Sequence, residues 1–344
     1  MLPRVLDKRN FKSFVQTLLA DDSVVGPVAK GEKFVFDEIT SADDLRMDYP
    51  ISLLSPRKYF FPQSETVLRY QMGDGVEIKP LELPTQPRVI LGVHPCDMAA
   101  IHLLDAVFAK EQVDPAYQAR RANTVTIGID CKKPCDDFQF CLDMGSLAHR
   151  EGYDLFLTDL GDRYLVEILT ERGKALLDGA TKDARPAASD DFSARQEIEE
   201  QKARAFRHKL PFDVKYLPEI LDESYDSLIW EAISRRCFSC GSCNLTCPTC
   251  YCFDVKDEIG LDLSTVTRSR QWDSCQLHDF AKVATGENFR ERRSERLRHR
   301  MFRKGKYILE DYGRMGCVGC GRCDRTCVAK ISSVEIYNQI AGSR

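Results

Sequence analysis

Two runs of four cysteines constrain what this chain can fold around more than any other feature of its 344 residues. One is Cys237-Phe-Ser-Cys240-Gly-Ser-Cys243-Asn-Leu-Thr-Cys247-Pro248, and the other is Cys317-Val-Gly-Cys320-Gly-Arg-Cys323-Asp-Arg-Thr-Cys327. Both have the spacing C-x2-C-x2-C-x3-C, in which three closely spaced thiolates wrap one face of a 4Fe-4S cluster and the fourth points to a partner cluster. Ligation therefore crosses: Cys237, Cys240, Cys243 and Cys327 are expected to hold one cluster, and Cys317, Cys320, Cys323 and Cys247 the other. Gly241, Gly319 and Gly321 allow close backbone approach, and their amides can donate to cluster sulfurs. Pro248 suits the motif, whereas Val328 stands at the equivalent place in the second run. A pair of zinc sites is the competing reading, but structural zinc draws on two separated Cys or Cys/His pairs rather than on contiguous four-cysteine runs.

The chain has fifteen cysteines and no secretion signal, and dense cysteine in a reducing compartment usually means metal rather than disulfide. Four lie in the first half (Cys96, Cys131, Cys135 and Cys141), seven between 237 and 275, and four between 317 and 327. A formal net charge of -4 offers no global attraction to nucleic acid or anionic lipid. No segment approaches the roughly 20 apolar residues that cross a bilayer. A cytoplasmic protein without direct membrane contact is expected.

The length exceeds what one hydrophobic core usually organises, which suggests two domains. The N-terminal stretch containing Val5, Leu6, Phe11, Phe14, Val15, Leu18 and Leu19 reads as a first amphipathic helix. Residues 88–93 (RVILGV) predict a buried strand, followed by the loop His94 to Asp97 and a helix. Residues 124–129 (TVTIGI) repeat the strand signal just before Cys131, and 153–168 predict two strands joined at Gly161 and Asp162. Cys96 and Cys131 thus lie just beyond strand ends, where loops carry function. Residues 182–196 read as a linker, with a charged helix after it, and from about 214 strand signals nearly vanish. The expected fold class is α+β. A mixed α/β domain spans 1–181, linker and charged helix 182–210, and a mostly helical, ferredoxin-like domain with two 4Fe-4S clusters 211–344.

Beyond the two motifs, Cys247-Pro248-Thr249-Cys250-Tyr251-Cys252, Trp272-Asp-Ser-Cys275, Asn288-Phe289-Arg290 and Glu295-Arg296-Leu297-Arg298 resemble a known dicluster family. It comprises the iron-sulfur subunits of anaerobic sulfite reductase and cytoplasmic sulfhydrogenases, and serves flavin oxidoreductases linked to heterodisulfide reductase. The resemblance extends through Pro95-Cys96-Asp97, Phe140-Cys141, Met144-Gly145 and Gly152-Tyr153-Asp154-Leu155, and so covers most of the chain. It implies a non-catalytic electron-transfer subunit. Its partners would be a flavoprotein subunit that oxidises NAD(P)H and a hydrogenase, sulfite reductase or heterodisulfide reductase module. Flavin, nicotinamide and nickel binding are assigned to those partners, because no G-x-G-x-x-G follows a strand here and no phosphate loop is present. The relay would be serial and one-electron, in an anaerobic or microaerobic setting.

Cys96, Cys131, Cys135 and Cys141 are candidate ligands of a third 4Fe-4S cluster, weighed against reduced structural thiols. The family tends to place a cysteine two positions before Cys141, where Gln139 stands here. Cys250, Cys252 and Cys275 exceed the eight ligands of two clusters and read first as small buried hydrophobes. The histidines show no mutual ligand spacing, with His94 beside Cys96 the nearest exception. From Arg290 to Lys306 nine basic residues face two acidic ones. Such a tract is ordinarily a solvated helix face; it could also offset cluster charge, dock an acidic partner or, last in rank, bind nucleic acid. The alternative function is a nucleic-acid-binding protein with structural clusters or zinc and a basic helix. Cluster reduction and salt-dependent nucleic-acid affinity separate the two.

Overall fold

The computed structural model describes residues 1–73, 75–79 and 83–343. Among them the strands run, in chain order, β1 (Arg4–Asp7), β2 (Ser23–Lys30), β3 (Lys33–Glu38), β4 (Ser64–Met72), β5 (Val76–Lys79) and β6 (Arg88–Val93). They continue as β7 (Thr124–Ile129), β8 (Leu155–Asp159), β9 (Arg163–Ile168), β10 (Arg185–Pro186), β11 (Phe253–Ile259) and β12 (Thr265–Trp272). The larger sheet has the order β10-β1-β9-β8-β7-β6-β2-β3. Its centre is parallel, with β2 beside β6, β6 beside β7 and β7 beside β8. Near-continuous apolar runs such as RVILGV suit strands covered on both faces. Helices Lys8–Asp21, Pro95–Val107 and Glu171–Ala180 contribute to that cover, and the core gathers Phe14, Val25, Phe36, Ile90, Met98, Ile127 and Phe156.

Strands β6 and β7 and the β8–β9 hairpin lie where the sequence predicts them, the hairpin turning at Gly161 with φ 108°. The first helix begins only at Lys8, because Arg4–Asp7 pairs with β9 as a strand. Within 182–196, Arg185 and Pro186 form β10 against β1, and the charged helix spans Ser189–Ala205. Ion pairs hold that helix to the larger sheet's surroundings, among them Arg163 to Asp191 at 2.7 Å, Arg195 to Glu167 at 3.2 Å and the buried Lys202 to Asp130 at 2.7 Å.

The expectation of a mostly helical chain after 211 misses the hairpin β11–β12. It joins β4 and β5 from the first half in a second, antiparallel sheet of order β11-β12-β4-β5. The strand signal is weak because β11 is an edge strand exposed along its whole length, so no apolar alternation is required of it. Cross-strand charge pairs take the place of an apolar stripe, with Arg268 bound to Asp257 and Arg270 to Glu65; Arg270 also reaches Asp114 at the start of the helix Pro115–Ala122. The other C-terminal elements are helical and share a core of Leu217, Leu221, Trp230, Leu297, Met301, Phe302 and Tyr337.

Candidate iron-sulfur centres

Parallel pairing of β6 and β7 brings Cys96 and Cys131 to the same edge of the larger sheet. Ligand sites in open α/β sheets form outside the carboxyl ends of such strands. Cys96 lies in the first turn of helix Pro95–Val107, and Cys131 follows Asp130 directly after β7. Cys135 and Cys141 lie on the loop beyond, close enough that Cys131, Cys135 and Cys141 act on one another electrostatically. Burial pushes the Cys135 and Cys141 thiols up to about 12 and raises those of Cys96 and Cys131 well above the ordinary thiol value. Buried thiols of this kind are protonated until a metal displaces the proton. His94 stacks on Tyr49 at 4.2 Å and shares a cavity with Cys131 and Cys135; its Nδ1 is buried without a hydrogen-bond partner.

The structure brings the fourth cysteine of each motif among the first three of the other. Cys327 lines one small cavity with Cys237, Cys240 and Cys243. Cys247 is an electrostatic neighbour of Cys317, Cys320 and Cys323, and of Cys243 in its own motif. Within each motif a backbone amide turns to its first sulfur, with Ser239 N donating to Cys237 Sγ and Gly319 N to Cys317 Sγ, both at 3.4 Å. The N-terminal group adjoins the second motif. Cys96 and Cys320 share a small apolar cluster with Ala100 and Val318, and Cys141 also feels Cys320.

Three contacts fix that junction. Phe140 N donates to Gly319 O at 2.7 Å, and Ser146 Oγ donates to Val318 O at 2.6 Å. The guanidinium of Arg322, inside the second motif, grips both carboxylate oxygens of Asp97 at 2.6 and 2.9 Å and donates to Ser52 O and Oγ at 2.9 Å. Arg322 and Asp97 are 1% and 0% exposed, so the pair is fully withdrawn from water. Gly319 has φ +64°, and a Cβ there would stand 2.5 Å from Phe140 O. Close approach is therefore made to the Cys141 loop. We expect Gly319→Ala to destabilise the chain by at least about 2 kcal/mol in urea unfolding, through left-handed backbone strain plus a backbone clash.

The basic tract differs from a solvated face along one stripe. Helix Arg293–Phe302 continues through a widened π turn, Arg303–Tyr307, a feature frequent at functional sites. Arg296, Arg300 and Lys304 recur every fourth residue and are all buried. Arg296 donates to Gln276 O at 3.0 Å, Arg300 Nε to Asn244 Oδ1 at 2.9 Å, and Lys304 Nζ to Thr249 Oγ1 at 2.7 Å. No ion pair with a carboxylate is found for these three among the described residues. Burial alone would discharge Lys304, but the neighbouring Cys247 and Cys250 hold its pKa above the ordinary lysine value. Arg300 is buried beside Cys243, Cys323 and Cys247, whose ionised forms favour its charged state. Cations placed this way require negative charge beside them, and that requirement fits cysteine-bound clusters. The four-residue spacing was the available signal for this stripe; Arg322 and Asp97 had none outside the fold.

Residues 236–331 match the model of the 4Fe-4S dicluster domain family. The chain is 32% identical to the sulfhydrogenase 2 subunit beta of Pyrococcus furiosus over 335 residues, 97% of each chain. It belongs to the sulfhydrogenase beta-subunit family. A more distant relative is the F420-dependent formate dehydrogenase subunit beta of Methanocaldococcus jannaschii, 20% identical over 72% of this chain and 60% of that one. This sulfhydrogenase beta-type chain is therefore an iron-sulfur electron-transfer subunit carrying 4Fe-4S clusters. None of its helices, among the described residues, is long and apolar enough to cross a membrane.

Proposed function

We propose that this chain relays single electrons through two clusters held in the crossed pattern and a third held by Cys96, Cys131, Cys135 and Cys141. The observation that carries the crossed assignment is Cys327 beside Cys237, Cys240 and Cys243, with Cys247 beside the second motif. The third site is supported by the convergence of the four N-terminal thiols next to Cys320. Bound there, the clusters supply one-electron redox chemistry. The chain's own residues provide the thiolates, screen the sites from water and set the local charge. A flavoprotein that oxidises NAD(P)H would donate, and a hydrogenase, heterodisulfide reductase or sulfite reductase module would accept, or the reverse. No nucleic acid is needed by this reading, since the most regular basic stripe is turned inward.

Iron and acid-labile sulfide on anaerobically purified protein test the proposal. At least about twelve of each per chain, reducible reversibly, are expected, and Cys131→Ser/Cys135→Ser should lose about four of them; a variant with the parent's iron would remove the N-terminal cubane. Zinc without iron would overturn the relay. Arg300→Met should lower the reduction potential of a neighbouring cluster, because a nearby cation favours the more reduced, more negative state. A loss on the order of 2 kcal/mol corresponds to roughly 90 mV for one electron. An unchanged potential in an EPR-monitored titration would show that Arg300 sets no cluster charge.

A further inference from the structure

Cys250, Cys252 and Cys275 are surplus to the two motifs, yet the fold gathers them. Asp273 N donates to Cys252 O at 3.0 Å, extending the β11–β12 pairing and bringing Cys275 beside Cys252. Cys252 and Cys275 are close electrostatic neighbours, as are Cys250 and Cys247, and Asn244 Nδ2 donates to Cys275 Sγ at 3.0 Å. All three surplus thiols line one cavity of about 360 Å³, which His299, Arg300 and Lys304 also line.

The charge around this cavity is unbalanced. Arg57 arrives from the first half of the chain, 3% exposed, with its guanidinium 3.8 Å from the Trp272 ring. One of its nitrogens donates to Leu245 O at 3.2 Å, while Nη1 is buried without a partner. Its electrostatic neighbours are Cys250, Cys247 and Cys252. Arg57, Arg300 and Lys304 thus surround the thiols as buried cations, and no ion pair with a carboxylate is found for them among the described residues. Buried positive charge of this kind favours thiolates and an anionic group beside it, and Arg300 and Lys304 lie beside the motif cysteines as well. Arg300 is shared with the motif cysteines, but Arg57 acts chiefly on Cys250 and its neighbours.

Resting on the iron-sulfur relay reading, we propose that Cys250, Cys252 and Cys275 hold a further iron-sulfur cluster in this cavity. No three Cys, His, Asp or Glu side chains among the described residues converge tightly enough for a single ion, and that holds for the eight motif cysteines as well. Three thiols distributed around a cavity suit a polynuclear cluster instead. His299, on the same wall, is the nitrogen donor available to a fourth iron. Cys250 lies beside Cys247, the fourth cysteine proposed for the second cluster, and Cys275 beside Cys243 of the first motif; the second cluster already adjoins the N-terminal cysteines. The second motif would then be a branch point, with one route through the N-terminal domain and another through this cavity.

The full chain, purified and reconstituted anaerobically, provides the test. The double variant Cys252→Ser/Cys275→Ser should hold about four fewer iron and sulfide per chain than the parent, with the EPR signals of the two motif clusters retained on reduction. Iron, sulfide and spectra equal to the parent's would overturn the inference. Should the double variant fail to fold, Cys275→Ala replaces it with the same two readings. A parent with no iron at all sinks the relay reading itself. A parent with about eight or more iron atoms, matched by the variant, sinks this inference alone.

Discussion

Arg322→Met is expected to cost about 3–5 kcal/mol, the range for breaking a buried ion pair by removing one partner. The methionine keeps most of the volume but leaves the Asp97 carboxylate at 0% exposure without its bidentate partner and strips Ser52 of two hydrogen bonds. Asp97 adjoins Cys96 in sequence and Arg322 lies between Cys320 and Cys323. The loss should therefore appear both as a lower urea midpoint and, if the proposed N-terminal cluster is present, as iron lost first from that site. Asp97→Leu combined with Arg322→Met removes both charges and should recover much of the stability, because the cost lies in the orphaned charge more than in the absent attraction. A single variant as stable as the parent would show that this junction is not what joins the N-terminal cysteines to the second motif.

The second large effect concerns which motif fails when a fourth cysteine is removed. Cys247→Ala should lose about four iron atoms and leave a protein whose EPR spectrum matches that of Cys320→Ala. Cys327→Ala should instead match Cys240→Ala. The reasoning is spatial: Cys327 shares its cavity with the first motif's thiols, and Cys247 stands among those of the second. If Cys247→Ala resembled Cys240→Ala, each motif would be holding its own cluster and the crossed pattern would be wrong.

The same comparison of residues shows how far the sequence reaches. Two contiguous cysteine runs announce their chemistry because a cubane needs thiolates at short, fixed separations, and a loop can supply three of them locally. Strands such as RVILGV are legible because burial on both faces demands an unbroken apolar run. The β11 strand is not legible, since a solvent-exposed edge places no such demand, and the sheet it joins pairs β12 with β4 across almost two hundred residues. The basic tract is legible as charge but not as direction. Only the packing of helix Arg293–Phe302 decides that Arg296, Arg300 and Lys304 turn inward.

What the sequence by itself determined is the dicluster signature: eight cysteines in two spaced runs, from which the crossed ligation is proposed, and a strand edge beneath Cys96 and Cys131. What only the tertiary structure decided is the neighbourhood: the N-terminal thiols against Cys320, the Asp97–Arg322 pair that joins them, and three buried cations around three unassigned thiols. Thiolate spacing within a turn is a local property and is written in adjacent residues. Charge balance in a buried interior is not, because the groups that satisfy it come from segments as far apart as Arg57 and Lys304, which meet only once the fold has excluded water between them.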